Sequence, residues 1–400
     1  MTTDIAVLIA CALVGAVFAF PRIARCQLWR ASITPLASII GSGFLVLGPI
    51  LMDKFGWAAP FVMAALCLGA WAFGAAIRFN MADGAEENAN QTRAENWVDT
   101  ASQWALAFAY VISVAYYLNL FGGFAVSLTP VDGDIAAHVV TTAVFALILG
   151  VGFTRGFKWL EWMEYGSVSV KLAIIAGLLV GLGFFFGDKI SADALTFETP
   201  QIGGWQAIAL GFGLIVTVQG FETSRYLGDS YDRKMRIRSM RIAQIVAAVI
   251  YMIYILLMAY AFKADSVPLK ETAIIDLMKQ VSPLLPVLLV VAALSAQFSA
   301  AVADTGGAGG LVEELTRRRL TPRKAYAVLG VLGIALTWTT DIFQIIAYAS
   351  RAFAAYYALQ AAIAAMRARR RHDGLLTGVF AGLAVLGTAI VIFGTPAEGG

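Results

Sequence analysis

The chain has 400 residues, of which 60% are apolar and only 14% are charged, whereas soluble domains carry about 45–50% apolar and about 25% charged residues. This composition excludes a water-soluble fold, and the formal net charge of +3 is too small to indicate a nucleic-acid partner. Three cysteines without paired spacing and two histidines argue against a disulfide framework, a metal site, a haem and most membrane enzymes, so we predict neither an enzyme activity nor a cofactor.

Twelve apolar segments of the chain are long enough to cross a bilayer as helices, in which every backbone group is paired internally. The first segment differs from a cleaved signal peptide, because Asp4 stands in its N-terminal region and Arg22 and Arg25 follow it. We therefore predict an all-α polytopic membrane protein with about 12 transmembrane helices. The predicted spans are residues 3–20, 31–52, 57–78, 101–128, 135–153, 163–187, 203–228, 240–262, 284–303, 321–338, 341–366 and 374–394.

The basic residues divide unevenly between the two sets of alternate loops. Most of the 29 lysines and arginines fall in one set, which includes the run from Arg317 to Arg319. Cytoplasmic loops of membrane proteins carry the excess of Lys and Arg. The distribution predicts a multi-pass protein of the cytoplasmic (inner) membrane with both termini outside the cytoplasm. The basic residues in the other set of loops are Lys54, Lys189, Lys263, Lys270 and Lys279.

Ten of the spans form two sets of five with similar spacing. The helices that begin near residues 31, 57, 101, 135 and 163 correspond in order to those near 203, 240, 284, 321 and 341. Because five is odd, the second set enters from the opposite side, which is the inverted-repeat plan of many secondary transporters. The predicted domains are an N-terminal helix and cytosolic linker at 1–30, a first repeat at 31–187, an extracellular loop at 188–202, a second repeat at 203–366, and a C-terminal helix and tail at 367–400.

Glycine-containing motifs interrupt the first helix of each repeat. The first repeat carries Ile40-Gly41-Ser42-Gly43-Phe44, and the second carries Gln219-Gly220-Phe221-Glu222. Glycines in apolar spans often serve close helix packing, but interrupted helices at corresponding positions of two repeats indicate a transporter binding site. A break exposes backbone N–H groups, which attract anions, and carbonyls, which attract cations. We predict that these two motifs bind the solute.

These motifs resemble those of the amino acid–polyamine–organocation (APC) superfamily. The run from Ile40 to Phe44 is similar to the first-helix signature of that family, and the run from Gly220 to Glu222 is similar to its sixth-helix Gly-Phe-Glu. Lys171 resembles a lysine that sodium-independent members carry in the fifth core helix. The resemblance covers residues 31–366, whose ten helices we number core helix one to ten. It implies a LeuT-type 5+5 inverted repeat with core helices one and six broken, plus one extra helix at each end.

Lys171 lies near the middle of a predicted span, where an unpaired charge is costly. The resemblance implies that its ammonium takes the place that a sodium ion holds between core helices one and eight in sodium-driven relatives. Snorkelling toward the headgroups is the structural alternative. Because desolvation favours the neutral form of a lysine, we expect H⁺ rather than Na⁺ as the coupling ion. Ser295 and Ser299 share one face of core helix eight and are ion-ligand candidates by the same resemblance, although serines also bond to their own helix.

Four other charged residues are candidates for coupling, gating or structural pairing. Glu222 lies at the predicted break of core helix six and could pair with Arg225, one turn further on. Asp304 in core helix eight and Arg351 in core helix ten could pair with each other or gate the pathway. Further pocket candidates follow from helix position alone, and these are Tyr116, Tyr117, Phe221, Gln297 and Tyr348.

The features together predict a secondary active transporter that moves a small organic solute across the cytoplasmic membrane by alternating access. The expected solute is an amino acid or an amine, and the expected transport is sodium-independent and proton-linked. The alternative is an inorganic-ion transporter or channel-like protein on the same fold, in which Glu222 and the freed carbonyls coordinate a cation. The expected partners are the small-molecule solute and the lipid bilayer.

Overall fold

The computed structural model describes residues 2–41, 43–83, 92–131, 133–154, 157–227, 231–263, 270 and 272–396, with the backbone alone for 152–154, 157–163, 314 and 322. Within these ranges all regular structure is helical. Three short 3₁₀ segments are Gly56–Ala58, Ile215–Val218 and Phe221–Tyr226. The α-helices are α1 (Thr2–Ala19), α2 (Pro21–Ala24), α3 (Gln27–Gly41), α4 (Phe44–Phe55), α5 (Ala59–Asp83), α6 (Arg93–Val126), α7 (Asp134–Thr154), α8 (Phe157–Ser191), α9 (Gly204–Gly213), α10 (Arg233–Ala261), α11 (Ala273–Lys279), α12 (Leu285–Leu315), α13 (Pro322–Thr339), α14 (Ile342–Arg370) and α15 (Gly374–Phe393).

Each predicted span coincides with one long helix or with the segments of one broken helix. Eight stretches of the described chain are long and apolar enough to cross a membrane by composition alone, and one of these, Gln27–Asp83, includes α3, α4 and α5. α14 is less apolar because it carries polar residues such as Ser350 and Gln360, which are fully buried against neighbouring helices. Polar residues of membrane helices face the bundle interior in this way. The predicted all-α polytopic membrane fold is confirmed.

The first helix of each repeat is broken, as predicted. α3 ends at Gly41, and Gly43 precedes α4 with a φ of 108°. α9 ends at Gly213, and the chain then continues through two 3₁₀ segments that flank Gly220, whose φ is 116°. Such positive φ values are strained for residues that carry a Cβ and are accessible to glycine. The two glycines therefore determine where the helices can break.

The broken helices lie in the middle of the bundle, in contact with α10, α12 and α14, and α6 packs against α12 and α14. A buried tyrosine needs a partner for its hydroxyl group. Two of the buried tyrosines, Tyr251 and Tyr254, have their hydroxyl groups within hydrogen-bond distance of backbone carbonyls of the broken helices. The fully buried tyrosines are Tyr110, Tyr116, Tyr117, Tyr251, Tyr254, Tyr356 and Tyr357.

The two extra helices pack on the outside of the ten-helix core. α1 lies along α8, and α15 lies along α14 with a second contact to α9. Gly177 permits the close approach of α1, because a Cβ at that position would meet the Sγ atom of Cys11. Val7 is the buried residue of α1, so the larger part of its apolar surface is left to face lipid.

Candidate functional site

The two breaks contact each other at the centre of the bundle. The hydroxyl group of Tyr251 on α10 lies 2.6 Å from the carbonyl oxygen of Thr217 in the second break and 3.1 Å from that of Ile39 at the end of α3. A Cβ on Gly220 would be 2.6 Å from the backbone nitrogen of Ile39. One tyrosine hydroxyl thus lies within hydrogen-bond distance of carbonyls of both broken helices, where backbone groups at mid-membrane need partners.

The second break has a further partner on α14. Ser350 donates a hydrogen bond to the carbonyl oxygen of Gly213 at 2.6 Å and accepts one from the backbone N–H of Val216 at 3.2 Å. Neither Ser350 nor Tyr251 was identified by our sequence analysis. The available signal was a lone hydroxyl group within an apolar span, which by itself does not distinguish such a partner from ordinary packing.

The glycines of the first break bring three helices together. A Cβ on Gly43 would meet the hydroxyl oxygen of Tyr116 on α6, and a Cβ on Gly41 would meet the Cβ of Ala300 on α12. These glycines therefore serve close packing and the break at once, so the two interpretations of the motif do not exclude each other. Ser42 of the same motif lies outside the described residues.

Asp304 on α12 is fully buried and accepts two hydrogen bonds from serines of other helices. Ser113 on α6 donates to Oδ2 at 2.5 Å, and Ser38 on α3 donates to Oδ1 at 3.3 Å. The predicted alternative of an ion pair with Arg351 is wrong. The guanidinium group of Arg351 instead donates to the carbonyl oxygen of Gly394, which directly follows α15.

Glu222 is also fully buried, directly after the second break. Its Oε2 atom accepts hydrogen bonds from the backbone N–H of Gly220 at 3.0 Å and from the hydroxyl group of Tyr357 at 2.9 Å. The predicted pairing of Glu222 with Arg225 is wrong. Arg225 forms an ion pair with Asp99 on α6 at 3.0 Å, while the Glu222 carboxylate folds back onto its own backbone.

Several polar atoms near the breaks have no hydrogen-bond partner among the described residues. The Nε2 atom of Gln219 donates to the hydroxyl group of Tyr117 at 2.6 Å, but its Oε1 atom is buried without a donor. The same holds for Oε1 of Glu222 and for Oε1 of Gln297 on α12. Buried acceptors are nearly always paired in native structures. These oxygens are therefore available to a hydrogen-bond donor from outside the chain, either an ordered water or a ligand.

Lys171 on α8 is fully buried and lies between α3 and α12, that is, between core helices one and eight. Its Nζ atom donates to the carbonyl oxygen of Ala37 on α3 at 2.8 Å and lies 3.4 Å from Oγ of Ser299 on α12. Ser299 in turn donates to the carbonyl oxygen of Ala296, whereas Ser295 is only half-buried. Snorkelling to the headgroups does not occur in this conformation.

Glu164 is a second buried charge on α8 that our sequence analysis did not single out. It is 2% exposed and precedes Lys171 by seven residues, which places the two side chains on the same helix face two turns apart. The signal in the sequence was an acidic residue at the edge of a predicted span. Residues at span ends usually reach water, which is why the position alone does not indicate burial.

Aromatic rings form one wall beside the second break. Phe221 stacks on Tyr357 with centroids 5.2 Å apart, and Tyr357 stacks on Phe73 of α5 at 5.3 Å. Tyr116 and Tyr117 lie side by side on α6 at 5.3 Å. Tyr348, a further predicted pocket residue, is 43% exposed and lines a separate apolar groove between α6, α13 and α14.

Ion pairs join the last 3₁₀ segment, α5, α6 and α14 at one end of the bundle. One of them connects Arg225, just beyond the second break, to α6. The pairs are Arg225–Asp99 at 3.0 Å, Arg370–Glu95 at 3.1 Å and Arg367–Asp83 at 4.0 Å.

The site is closed in this conformation. Lys171, Gln219, Glu222 and Asp304 each have 0% of their surface exposed, although they lie on three different elements. A solute can reach such residues only after neighbouring elements separate. Two broken helices around a buried polar centre are typical of secondary transporters.

Comparison with known proteins agrees with this geometry. A family model described as APC superfamily transporter matches residues 21–394. An uncharacterized protein of Aquifex aeolicus (strain VF5) is 38% identical over 390 residues, which make up 95% of this chain and 94% of that protein.

Two solved transporter structures share the fold. A nucleobase-cation-symport-1 family transporter, closed with bromovinylhydantoin bound, has a TM-score of 0.56 at 14% identity and covers 91% of this chain and 92% of its own. A Na⁺-coupled sialic acid symporter in an outward-open state has a TM-score of 0.57 at 11% identity and covers 99% of this chain and 98% of its own. These relatives are transporters and not enzymes, as predicted. The chain belongs to the APC superfamily and is a secondary transporter with a LeuT-type fold.

Proposed function

We propose that this transporter moves a small organic solute of the amino acid or amine class, which binds between the two helix breaks. The observation that carries the proposal is the set of buried acceptor oxygens without partners, on Gln219, Glu222 and Gln297. An ammonium or amine group supplies the donors that these oxygens need, and hydrogen bonds between charged partners are stronger than neutral ones.

The start of α4 offers a place for the carboxylate of an amino acid. The first N–H groups of an α-helix have no partner within the helix and attract anions. Gly43 precedes this helix start without a side chain to cover it. The hydroxyl group of Tyr116 lies beside the same glycine and adds one more donor. An amino acid would thus bind with its carboxylate at the first break and its amine at the second.

The charge of the buried centre also favours a solute with a positive group. Glu222 and Asp304 are two acidic residues with no exposed surface, and the buried base Lys171 has a buried acidic residue, Glu164, on its own helix. An uncompensated buried carboxylate is costly. A bound cationic group would lower that cost, as would protonation of one of the two acids.

We further propose that transport is proton-linked and independent of sodium. The LeuT-type fold itself is compatible with sodium, since the sialic acid symporter of similar fold is Na⁺-coupled. What argues against sodium here is Lys171, whose ammonium already bonds to the Ala37 carbonyl between α3 and α12. Protonation and deprotonation of Lys171 would change the charge between α3 and α12, as binding and release of a sodium ion would in a sodium-coupled transporter.

The proposed location is the cytoplasmic (inner) membrane, with both termini on the outer side. The support comes from the loop charges. The loops that would be cytoplasmic hold most of the 29 lysines and arginines, in accord with the positive-inside rule.

A thermal-shift screen of the purified protein against amino acids, amines, nucleobases and metal ions tests the proposed solute class. A ligand that binds only the folded state raises its apparent stability. We expect stabilisation by amino acids or amines, and a smaller shift with the same compounds in Glu222→Gln. The matched control is Glu313→Gln, which changes a half-buried acidic residue of α12. Stabilisation by metal ions alone would instead support the inorganic-ion alternative.

A further inference from the structure

The chain beyond α15 connects two helices that carry parts of the site. We call Gly394 and Thr395 the C-terminal strap. Nε and Nη2 of Arg351 on α14 donate to the carbonyl oxygen of Gly394 at 3.2 and 2.7 Å. The backbone N–H of Thr395 donates to the carbonyl oxygen of Ala209 on α9 at 3.0 Å. The strap is therefore bonded to α14 on one side and to α9 on the other.

The strap fits against α9 at the residue where this helix breaks. A Cβ on Gly213 would meet the carbonyl oxygen of Thr395, whereas a Cβ on Gly211 would have nothing within 4 Å. Next to the strap, Trp205 of α9 packs edge-on against Phe393 of α15, with centroids 5.1 Å apart. The strap thus contacts the C-terminal half of α9, at Ala209 and Gly213.

Two consecutive residues of α14 form hydrogen bonds to the second break and to the strap. Ser350 bonds to Gly213 and Val216, and the next residue, Arg351, bonds to Gly394. α9 is consequently fastened to α14 at its broken end by one direct contact and by one contact through the strap. Because the site is sealed, any opening on the side of α9 must move α9 relative to α14.

We propose that the C-terminal strap is a conformational restraint that fastens α9 to α14 in the closed state and detaches from α9 when the site opens on that side. The two attachments differ in strength. Arg351 makes two charge-assisted hydrogen bonds to one carbonyl oxygen, whereas Thr395 makes one neutral backbone hydrogen bond to α9. The strap therefore stays on α14 and releases α9. This inference holds for any solute.

The test uses a single reporter cysteine between the breaks, Thr217→Cys, in a protein whose native Cys11, Cys26 and Cys67 are replaced. The methyl group of Thr217 would lie 3.3 Å from a Cβ on Gly43, so the reporter reads access to the site without a known solute. The measured quantity is the labelling rate with a water-soluble methanethiosulfonate in lipid nanodiscs, where both faces are accessible.

In Gly213→Ala the added Cβ should displace the strap from α9. We expect the reporter cysteine of this variant to be labelled about three- to tenfold faster, which is the range expected from the loss of one hydrogen bond of ordinary net strength. Gly211→Ala, the matched control, should label at the unmodified rate. Arg351→Gln removes the attachment of the strap to α14 and should accelerate labelling of the reporter by a similar factor. Unchanged labelling in folded Gly213→Ala and Arg351→Gln proteins would overturn the proposal.

A cross-link provides a second measurement if these variants fold poorly. Ala209→Cys with Thr395→Cys places two thiols on the hydrogen-bonded backbones, and oxidation should tie the strap to α9. We expect reporter labelling to slow about tenfold relative to the reduced protein, by the same hydrogen-bond range, and to recover after reduction and removal of the reductant. A labelling rate that is insensitive to oxidation would show that the strap moves with α9, contrary to the proposal. Failure to find any solute would not affect either labelling result.

Discussion

The ammonium group of Lys171 donates a hydrogen bond to a carbonyl oxygen that could otherwise coordinate a small cation. Its Nζ atom lies 2.8 Å from the Ala37 oxygen, so a second cation at that oxygen would come within a few ångströms of the first. Two unit charges 4 Å apart repel by about 4 kcal/mol at an effective dielectric constant of 20. A difference of that size weakens binding by about a thousandfold. At the scale of one residue, sodium at this position is therefore disfavoured as long as Lys171 is charged.

Gly43 is the second residue on which the site depends. In Gly43→Ala the added Cβ raises the backbone energy by about 1–2 kcal/mol in a left-handed conformation and displaces the Tyr116 hydroxyl. The displaced hydroxyl is also lost as a donor to the solute, and one hydrogen bond contributes about 1 kcal/mol, so we expect the solute that the stability screen identifies to bind about fivefold more weakly, as measured by titration of the purified protein.

The control for this change is Gly183→Ala on α8, where an added Cβ would have nothing within 4 Å. The double variant Gly43→Ala/Tyr116→Phe removes the oxygen that the added Cβ meets. It should therefore regain part of the thermal stability that Gly43→Ala loses, while the backbone strain at residue 43 remains. Unaltered affinity in Gly43→Ala would mean that this glycine only packs helices.

At the scale of elements, the two broken helices are held by their neighbours rather than by themselves. α10 binds both breaks through Tyr251, and α14 binds the second through Ser350. A broken helix in the membrane requires such partners, because each unsatisfied backbone group there is costly. α10 and α14 therefore have to carry hydroxyl groups at the depth of the breaks.

Tyr251→Phe removes the hydroxyl that serves both breaks and leaves two carbonyls without that partner. A lost buried hydrogen bond costs about 1–3 kcal/mol, so we expect the unfolding temperature to fall by a few degrees in a thermal melt. Tyr254→Phe on the same helix is the matched control, because its hydroxyl lies 3.4 Å from the Leu45 carbonyl and contributes less. Equal effects of the two variants would argue against a special role for Tyr251.

At the scale of the whole molecule, the helical spans and both breaks could be predicted from the sequence. The spans followed from apolar runs that match the bilayer thickness, and the breaks followed from glycines that alone accept φ values near 108° and 116°. Both features depend on residues close together in the chain, so they can be predicted from one sequence without knowledge of contacts between distant segments.

The side-chain pairings could not be predicted, because helical spacing specifies one helix face but not the helix that covers it. Arg225 pairs with Asp99 and Arg351 pairs with the Gly394 carbonyl, and both partners come from distant segments. The same reason applies to Tyr348, whose position in α14 gave its depth but not the groove between α6, α13 and α14 that it lines. The partners Tyr251 and Ser350 were missed since their role depends on contacts between repeats.

The orientation of the chain yields a prediction of its own. Ser191 at the end of α8 and Arg369 at the end of α14 are both exposed, and the loop charges place them on opposite faces. Single cysteines at these positions in a cysteine-free protein should react from opposite sides with a membrane-impermeant thiol reagent, Ser191→Cys from outside. Arg369 is preferable to Arg370, which pairs with Glu95. Labelling of both from one side would contradict the predicted number of membrane crossings between them.

Uptake into proteoliposomes under sodium or potassium, at two pH values, tests the proposed coupling most directly, with the solute that the stability screen identifies. We predict equal uptake in the two salts, a clear dependence on pH in the wild type, and loss of transport or of its pH dependence in Lys171→Met. If Lys171 stays charged throughout, uptake in the wild type will be insensitive to pH while the variant still fails. Uptake that requires a sodium gradient would contradict the assignment of Lys171 and redirect attention to Ser295 and Ser299 as ion ligands.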